Sequence, residues 1–301
     1  MPKRVDVEVR TDRSRYLPGE DVELTVSAAV KHDVEVAEAW AELVWENEYT
    51  YDFDDPEGGS KITKTEVVLA AEELFLERER LRRGDTVDRT FTLRLPSSAP
   101  PSAAGEIVAV RWYAQARFVV QRDLDARGRS RIDVFQPRER FDQRAKAQPE
   151  AIAPGCAVDV EVPEREVRPG DVVLGSLVLL PESDLKVREV RVELVQEEEA
   201  WEHADRPRRE TATRAQAVCD RKTRLRGGAR HSYDFELRVP DDAAPCLATK
   251  HGVIGWVVRG VVDRRLRFDA EAKLPLNVYT APTSPAEVTE WREAGRRRPL
   301  G

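Results

Sequence analysis

Two of the residue types most able to do chemistry sit close together once in this chain: Cys246 and His251. A cysteine beside a histidine is the minimum of a thiol hydrolase, with the imidazole taking the thiol proton. Such a base needs a third group to orient it, and the neighbouring sequence supplies none. The pair therefore reads as structural, with a thiol-dependent hydrolase as the third-ranked function. Cys156, Cys219 and His203 are too widely spaced for one turn to present two metal ligands. Asp52, Asp54, Asp55 and Glu57, before Gly58-Gly59, suggest a calcium loop but lack the glycine at the sixth and glutamate at the twelfth position. They read as a solvated hairpin tip, and Glu197-Glu198-Glu199 as the matching acidic loop further on, attractive to basic partners. No catalytic residue, cofactor or metal is expected. Trp291 is different, because Arg296, Arg297 and Arg298 follow it. A ring beside cations can anchor in a partner groove or at a lipid surface, and these four residues are the candidates for partner binding. Membrane association by this route would be weak, at about 1 kcal/mol per arginine. Ranked above that anchor is a tail folded back on a domain with Trp291 packed on it.

An internal duplication organises what must position these residues. At an offset of 151, Leu17-Pro18-Gly19-Glu20-Asp21-Val22 falls on Arg168-Pro169-Gly170-Asp171-Val172-Val173, and Glu42-Leu43-Val44 on Glu193-Leu194-Val195. At an offset of 144, Phe91-Thr92-Leu93-Arg94-Leu95-Pro96 falls on Phe235-Glu236-Leu237-Arg238-Val239-Pro240. The same offset sets Trp112 on Trp256 and Ser102 on Cys246. A repeat this long means two domains of one fold, since solenoid units run about 20–50 residues.

The periodicity inside each copy is two. Val22, Leu24, Val26 and Ala28 alternate with polar neighbours, as do Val190, Val192 and Leu194. That is the pattern of strands with one face on a core and one in water. Pro-Gly marks tight turns, and Pro96 and Pro240 each end a strand. The fold class is all-β, with two tandem immunoglobulin-like sandwiches over residues 1–136 and 156–281, a linker over 137–155 and a basic tail over 282–301. Residues 70–80 hold strong helix formers. Their counterpart leans towards strand, so both are read as extended. Ser284 and Glu287 behind Pro282 and Pro285 could open one or two turns of helix. The tail has no counterpart after the first copy, so the sandwiches are expected to fold without it.

Of the 301 residues, 35% are charged and 41% hydrophobic, and the net charge is -7. That balance argues against a membrane span and against bulk nucleic-acid binding. The cysteine count gives no disulfide framework. The opening Met1-Pro2-Lys3-Arg4 carries no apolar signal core, which points to the cytoplasm.

Together these motifs resemble the arrestin-like superfamily. The resemblance rests on Tyr16 to Leu24 and Val167 to Gly175 around the Pro-Gly turns, and on the strand Val36 to Leu43 matched by Val187 to Leu194. It continues through Phe91 to Pro96 with Pro100-Pro101-Ser102, and less closely through Phe235 to Pro240 with Ala244-Pro245-Cys246. It implies two curved sandwiches with concave faces, acting as an adaptor or scaffold without catalysis, as in the bacterial sporulation-control proteins. The chain has no Pro-Pro-x-Tyr motif, so recruitment of a ubiquitin ligase is not implied. The expected function is a non-enzymatic adaptor that holds protein partners by sheet edges, concave faces and end loops. The runner-up is a structural or carbohydrate-binding module, which would need an exposed aromatic row on one face.

Overall fold

The computed structural model describes residues 4–53, 60–121, 124–138, 155–203, 207–264 and 269–297. Asp54, Asp55, Glu57, Gly58 and Gly59 of the acidic hairpin tip lie outside these, as do most of the linker and Arg298. The first half contributes β1 (Val5–Thr11), β2 (Arg15–Tyr16), β3 (Asp21–Val30), β4 (Val34–Phe53), β5 (Ser60–Leu81), β6 (Thr86–Arg94), β7 (Ala103–Ala104), β8 (Val108–Val120) and β9 (Ala126–Val134). The second contributes β10 (Cys156–Glu161), β11 (Glu166–Val167), β12 (Val172–Pro181), β13 (Leu185–Ala200), β14 (Arg208–Arg221) and β15 (Arg224–Leu225). It continues with β16 (His231–Arg238), β17 (Leu247–Ala248), β18 (Gly252–Arg264) and β19 (Ala270–Val278), and one helix, α1 (Pro285–Arg297), follows. Residues 70–80 lie within β5 and are extended.

Each half is a sandwich of a small sheet and a large one. The small sheets run β1-β3-β6 and β10-β12-β16; the large ones run β2-β9-β8-β4-β5 and β11-β19-β18-β13-β14. The duplication survives in the register. Trp112 pairs with Ile132 on β9, and Trp256 pairs with Leu276 on β19. Both indoles are fully buried, and each Nε1 donates to a carbonyl twelve residues back, Pro100 O or Ala244 O, at 2.9 Å. Burying an indole without that acceptor would strand a donor. The Pro-Gly turns match as well. Gly19 and Gly170 take φ of 85° and 88°, which glycine adopts without a Cβ clash. The carboxylates of Glu20 and Asp171 then accept from the backbone N–H of Leu17 and Arg168, closing each turn.

The tail returns to the body of the protein. Ser284 Oγ accepts from Glu287 N, Glu287 Oε2 accepts from Ser284 N, and Pro285 stands at the first helical position. This is a capping box with a preset φ, and it starts a helix of 13 residues, longer than the one or two turns expected. Trp291 is 9% exposed, its ring edge-on to Phe135 at 5.0 Å between centroids. Ser14 donates to Gly295 O through both its N–H and its hydroxyl. Arg292 meets Glu20 at 2.7 Å, and Glu287 meets Arg168 at 3.2 Å. The helix therefore touches the Pro-Gly turn of both sandwiches. The tail thus folds back and buries its indole on the first sandwich, although no copy of it follows the first half. Trp291→Ala should lower unfolding free energy by roughly 3 kcal/mol and reduce the thermal midpoint. An unchanged midpoint in a thermal melt would show that this ring contributes nothing.

Candidate functional site

The sandwiches meet through side chains at equivalent positions. Asn47 on β4 and Glu198 on β13 correspond at the 151 offset, and both are buried. Glu198 crosses to the first sandwich, where the backbone N–H groups of Glu106, Ile107 and Val108 donate to its carboxylate at 2.8, 2.9 and 3.2 Å. Gln196 Nε2 adds a fourth donor at 2.7 Å. Three successive amides make a nest for an anion, and hydrogen bonds to a charged acceptor are the strong ones. A Cβ on Gly105 would lie 2.5 Å from Glu198 Oε2, so the nest requires glycine there. Asn47 makes the reciprocal crossing: its Nδ2 donates to Thr249 Oγ1 at 3.2 Å, in the turn that matches Gly105 to Val108. His251 stacks on Tyr49 at 4.5 Å, and the Tyr49 hydroxyl donates to Glu202. Arg208 reaches Asp52 at 2.7 Å across the junction. A cleft of about 420 Å³ lies between the sandwiches, lined by Thr50, Lys61, Glu198, Arg208 and Thr211 among others.

The acidic-loop reading of Glu197-Glu198-Glu199 is corrected here. These residues lie inside β13, where alternation turns Glu198 inward and its neighbours outward. Glu197 pairs with Lys273 at 2.6 Å and Glu199 with Arg209 at 2.8 Å. Neither is a free loop charge.

Among the described residues no element covers the outer face of either large sheet. On the first, Trp40, Glu42, Val44 and Glu46 of β4 share that face with Arg111, Tyr113, Gln115 and Arg117 of β8, as the register requires. Glu42 is buried and takes hydrogen bonds from Gln115 and Arg117. Its counterpart Glu193 is buried on the second sheet, held by Arg191 at 2.7 Å and Arg259 at 2.5 Å. Burial alone would raise the Glu193 pKa, but the two guanidinium groups outweigh it and hold the carboxyl below its usual value. The first face continues onto β5, where Val67 and Leu69 are 54% and 49% exposed opposite Glu46 and Val44.

Cys246 is fully buried. Its Sγ donates to Leu276 O at 3.5 Å and accepts from Val278 N at 3.3 Å, and burial pushes the thiol up to about 12. Ser102 does the same work in the first sandwich, its Oγ accepting from Val134 N at 3.0 Å. His251 engages Trp201 O through Nδ1 instead. The two residues share no hydrogen bond, and a thiol held protonated is no nucleophile. Among the described residues no three His, Cys, Asp or Glu side chains converge as a metal site would need, and no helix is long and apolar enough to cross a membrane. Of the tail candidates, Trp291 packs on Phe135, while Arg296 is exposed and borders a groove of about 650 Å³ with Arg10, Arg13 and Arg129. Arg297 ends the helix, its side chain outside the described residues along with Arg298. On the first open face Trp40 and Tyr113 are half-buried, and Arg129 lies over Tyr113 at 5.2 Å. The junction residues escaped sequence reading because alternation shows which way Glu198 points but not what it meets.

Two outcomes are expected. Gly105→Ala and Glu198→Gln should each cost roughly 2 kcal/mol, and the double variant little more, since both break one contact. Additive losses in denaturant titrations would show that Gly105 and Glu198 act separately. Glu193 should stabilise the fold fully above the unfolded carboxyl value of about 4.3 and lose that contribution as pH falls through its lower folded value. Glu193→Gln should therefore flatten the acid limb of the stability–pH curve. A limb as steep as the wild type's would remove Glu193 from that role.

The comparisons with known proteins agree with this geometry. Residues 156–281 match the family model described as arrestin (or S-antigen), N-terminal domain. No curated protein matches the chain. With the matched turns, tryptophans and strand register repeated in the first half, the chain has an arrestin-like fold of two tandem β-sandwiches.

Proposed function

We propose that this protein is a non-enzymatic adaptor or regulatory scaffold that holds protein partners on its open sheet faces and free sheet edges. The reading fits a chain carrying an arrestin-type domain, and one observation supports it most. Among the described residues both large sheets leave an outer face and a long terminal strand uncovered, while the Glu198 nest and the tail helix fix the sandwiches relative to each other. A preorganised surface binds without paying to order itself. The buried carboxylates Glu42 and Glu193 tie neighbouring strands together from the outer side and keep each face in shape.

The test is affinity capture from native lysate with the full chain and with Val67→Glu/Leu69→Glu, after both show the same thermal midpoint. A protein captured by the wild type and lost from the variant is expected. If the same set is retained equally by both, the open face of the first sandwich is not the binding surface. If the wild type captures nothing above a blank matrix, the adaptor reading falls.

A further inference from the structure

The uncovered edges of the two large sheets differ in one respect. On β14, the arginines are already committed: Arg209 to Glu199, Arg214 to Asp242 and Arg221 to Glu189. On β5, the carboxylates of Glu72, Glu73 and Glu77 are exposed and form no ion pair among the described residues. Lys64, at the other end of the strand, is spent on Glu202 at 3.1 Å, and Arg80 faces Asp33 at 3.8 Å. The middle of β5 thus carries unneutralised negative charge beside exposed apolar side chains.

Their order along the strand is specific. Register with β4 puts Val67, Leu69, Glu72, Leu74 and Glu77 on the open face, opposite Glu46, Val44, Glu42, Trp40 and Glu38. Two irregularities, between Leu43 and Val44 and between Ala39 and Trp40, keep the charged and apolar residues on that one face. The strand is 22 residues long and contains no proline, and among the described residues no strand pairs with its outer N–H and C=O groups. Arg78, at φ of 49°, lies beyond this open stretch. Native proteins do not leave a long apolar edge uncovered without protection, because it templates pairing. Here the protection is carboxylates of one sign, Glu72 and Glu77 on the open face and Glu73 on the other, which would repel a second β5 laid against them and attract a cationic strand.

We propose that the β5 edge binds an extended polypeptide segment that carries apolar and lysine or arginine side chains together on one face, added as a further strand of the first large sheet. Main-chain hydrogen bonds would supply affinity and the side-chain order specificity. On the open face the incoming residues would read apolar, apolar, basic, apolar, basic, matched to Val67, Leu69, Glu72, Leu74 and Glu77. This rests on the adaptor reading and names the kind of partner one of its surfaces takes.

The full chain is titrated into a fluorescent peptide whose every second residue reads Leu, Leu, Lys, Leu, Lys with threonine between, a counterpart with glutamate for lysine, and the lysine peptide interrupted by proline. Saturable binding of the first alone is expected. Glu72→Lys/Glu77→Lys should weaken it on the order of tenfold, as should added salt. Hydrogen exchange should slow in residues 66–77 when the peptide is present. Equal binding of the glutamate or proline peptide, or slowed exchange on β14 with β5 unchanged, would overturn the proposal. So would a dimer whose β5 amides are protected before any peptide is added, which would make the occupant a second copy. Partners captured from lysate equally by the wild type and Glu72→Lys/Glu77→Lys would overturn this edge site and leave the adaptor reading standing.

Discussion

One buried carboxylate sets the relation between the two halves. Glu198 leaves the second sandwich and receives three amide hydrogens from the first, and Asn47, its counterpart, crosses the other way to the matching turn. Each half presents the same two elements, an inward polar side chain and a turn that receives it. The contact is therefore close to two-fold, although it joins different parts of one chain. Desolvating a carboxylate is expensive, and an apolar pair of the same shape can be as stable. What the carboxylate adds is direction, since three amides accept it in one orientation only. The shared apolar core across the junction, where Ala244, Leu247 and Ile254 join the first cluster, supplies adhesion without that directionality.

The elements furthest from chemistry were the most legible in the sequence. Offsets of 151 and 144 predicted which residues share a place, and Trp112 with Trp256, Gly19 with Gly170 and Ser102 with Cys246 do share one. A hydroxyl and a thiol can each accept one amide hydrogen at a strand end, which is why Cys246 needed no reactivity to explain it. Glu197-Glu198-Glu199 misled because three like charges in a row suggest a solvated loop. In a strand the same three divide between faces, and each found a different partner. Trp291 was ambiguous for a related reason. Its neighbours on the helix are charged, and only the placement of Phe135 at the end of the first sandwich reveals what the ring covers.

Duplication also exposes where the halves have diverged. Both open faces keep a buried glutamate, but Gln115 and Arg117 hold it in one and Arg191 and Arg259 in the other. The first carries aromatic and aliphatic side chains, Trp40, Tyr113, Val67 and Leu69, where the second sets Val195, Val257 and Pro275 side by side. The shared architecture is thus spent on two unlike surfaces, which suits a molecule that meets more than one kind of neighbour.

The tail helix has a consequence in time. It joins the Pro-Gly turn of the first sandwich through Glu20 to that of the second through Arg168, and it follows both sandwiches in the chain. Domains fold as units during synthesis, N-terminal first, at about 5–20 residues per second. The contact surface for Trp291 around Phe135 therefore stays bare while the second sandwich is being made. A ribosome that stops before residue 285 releases a first sandwich with that apolar end exposed, a mark that separates the shortened product from one that carries the helix.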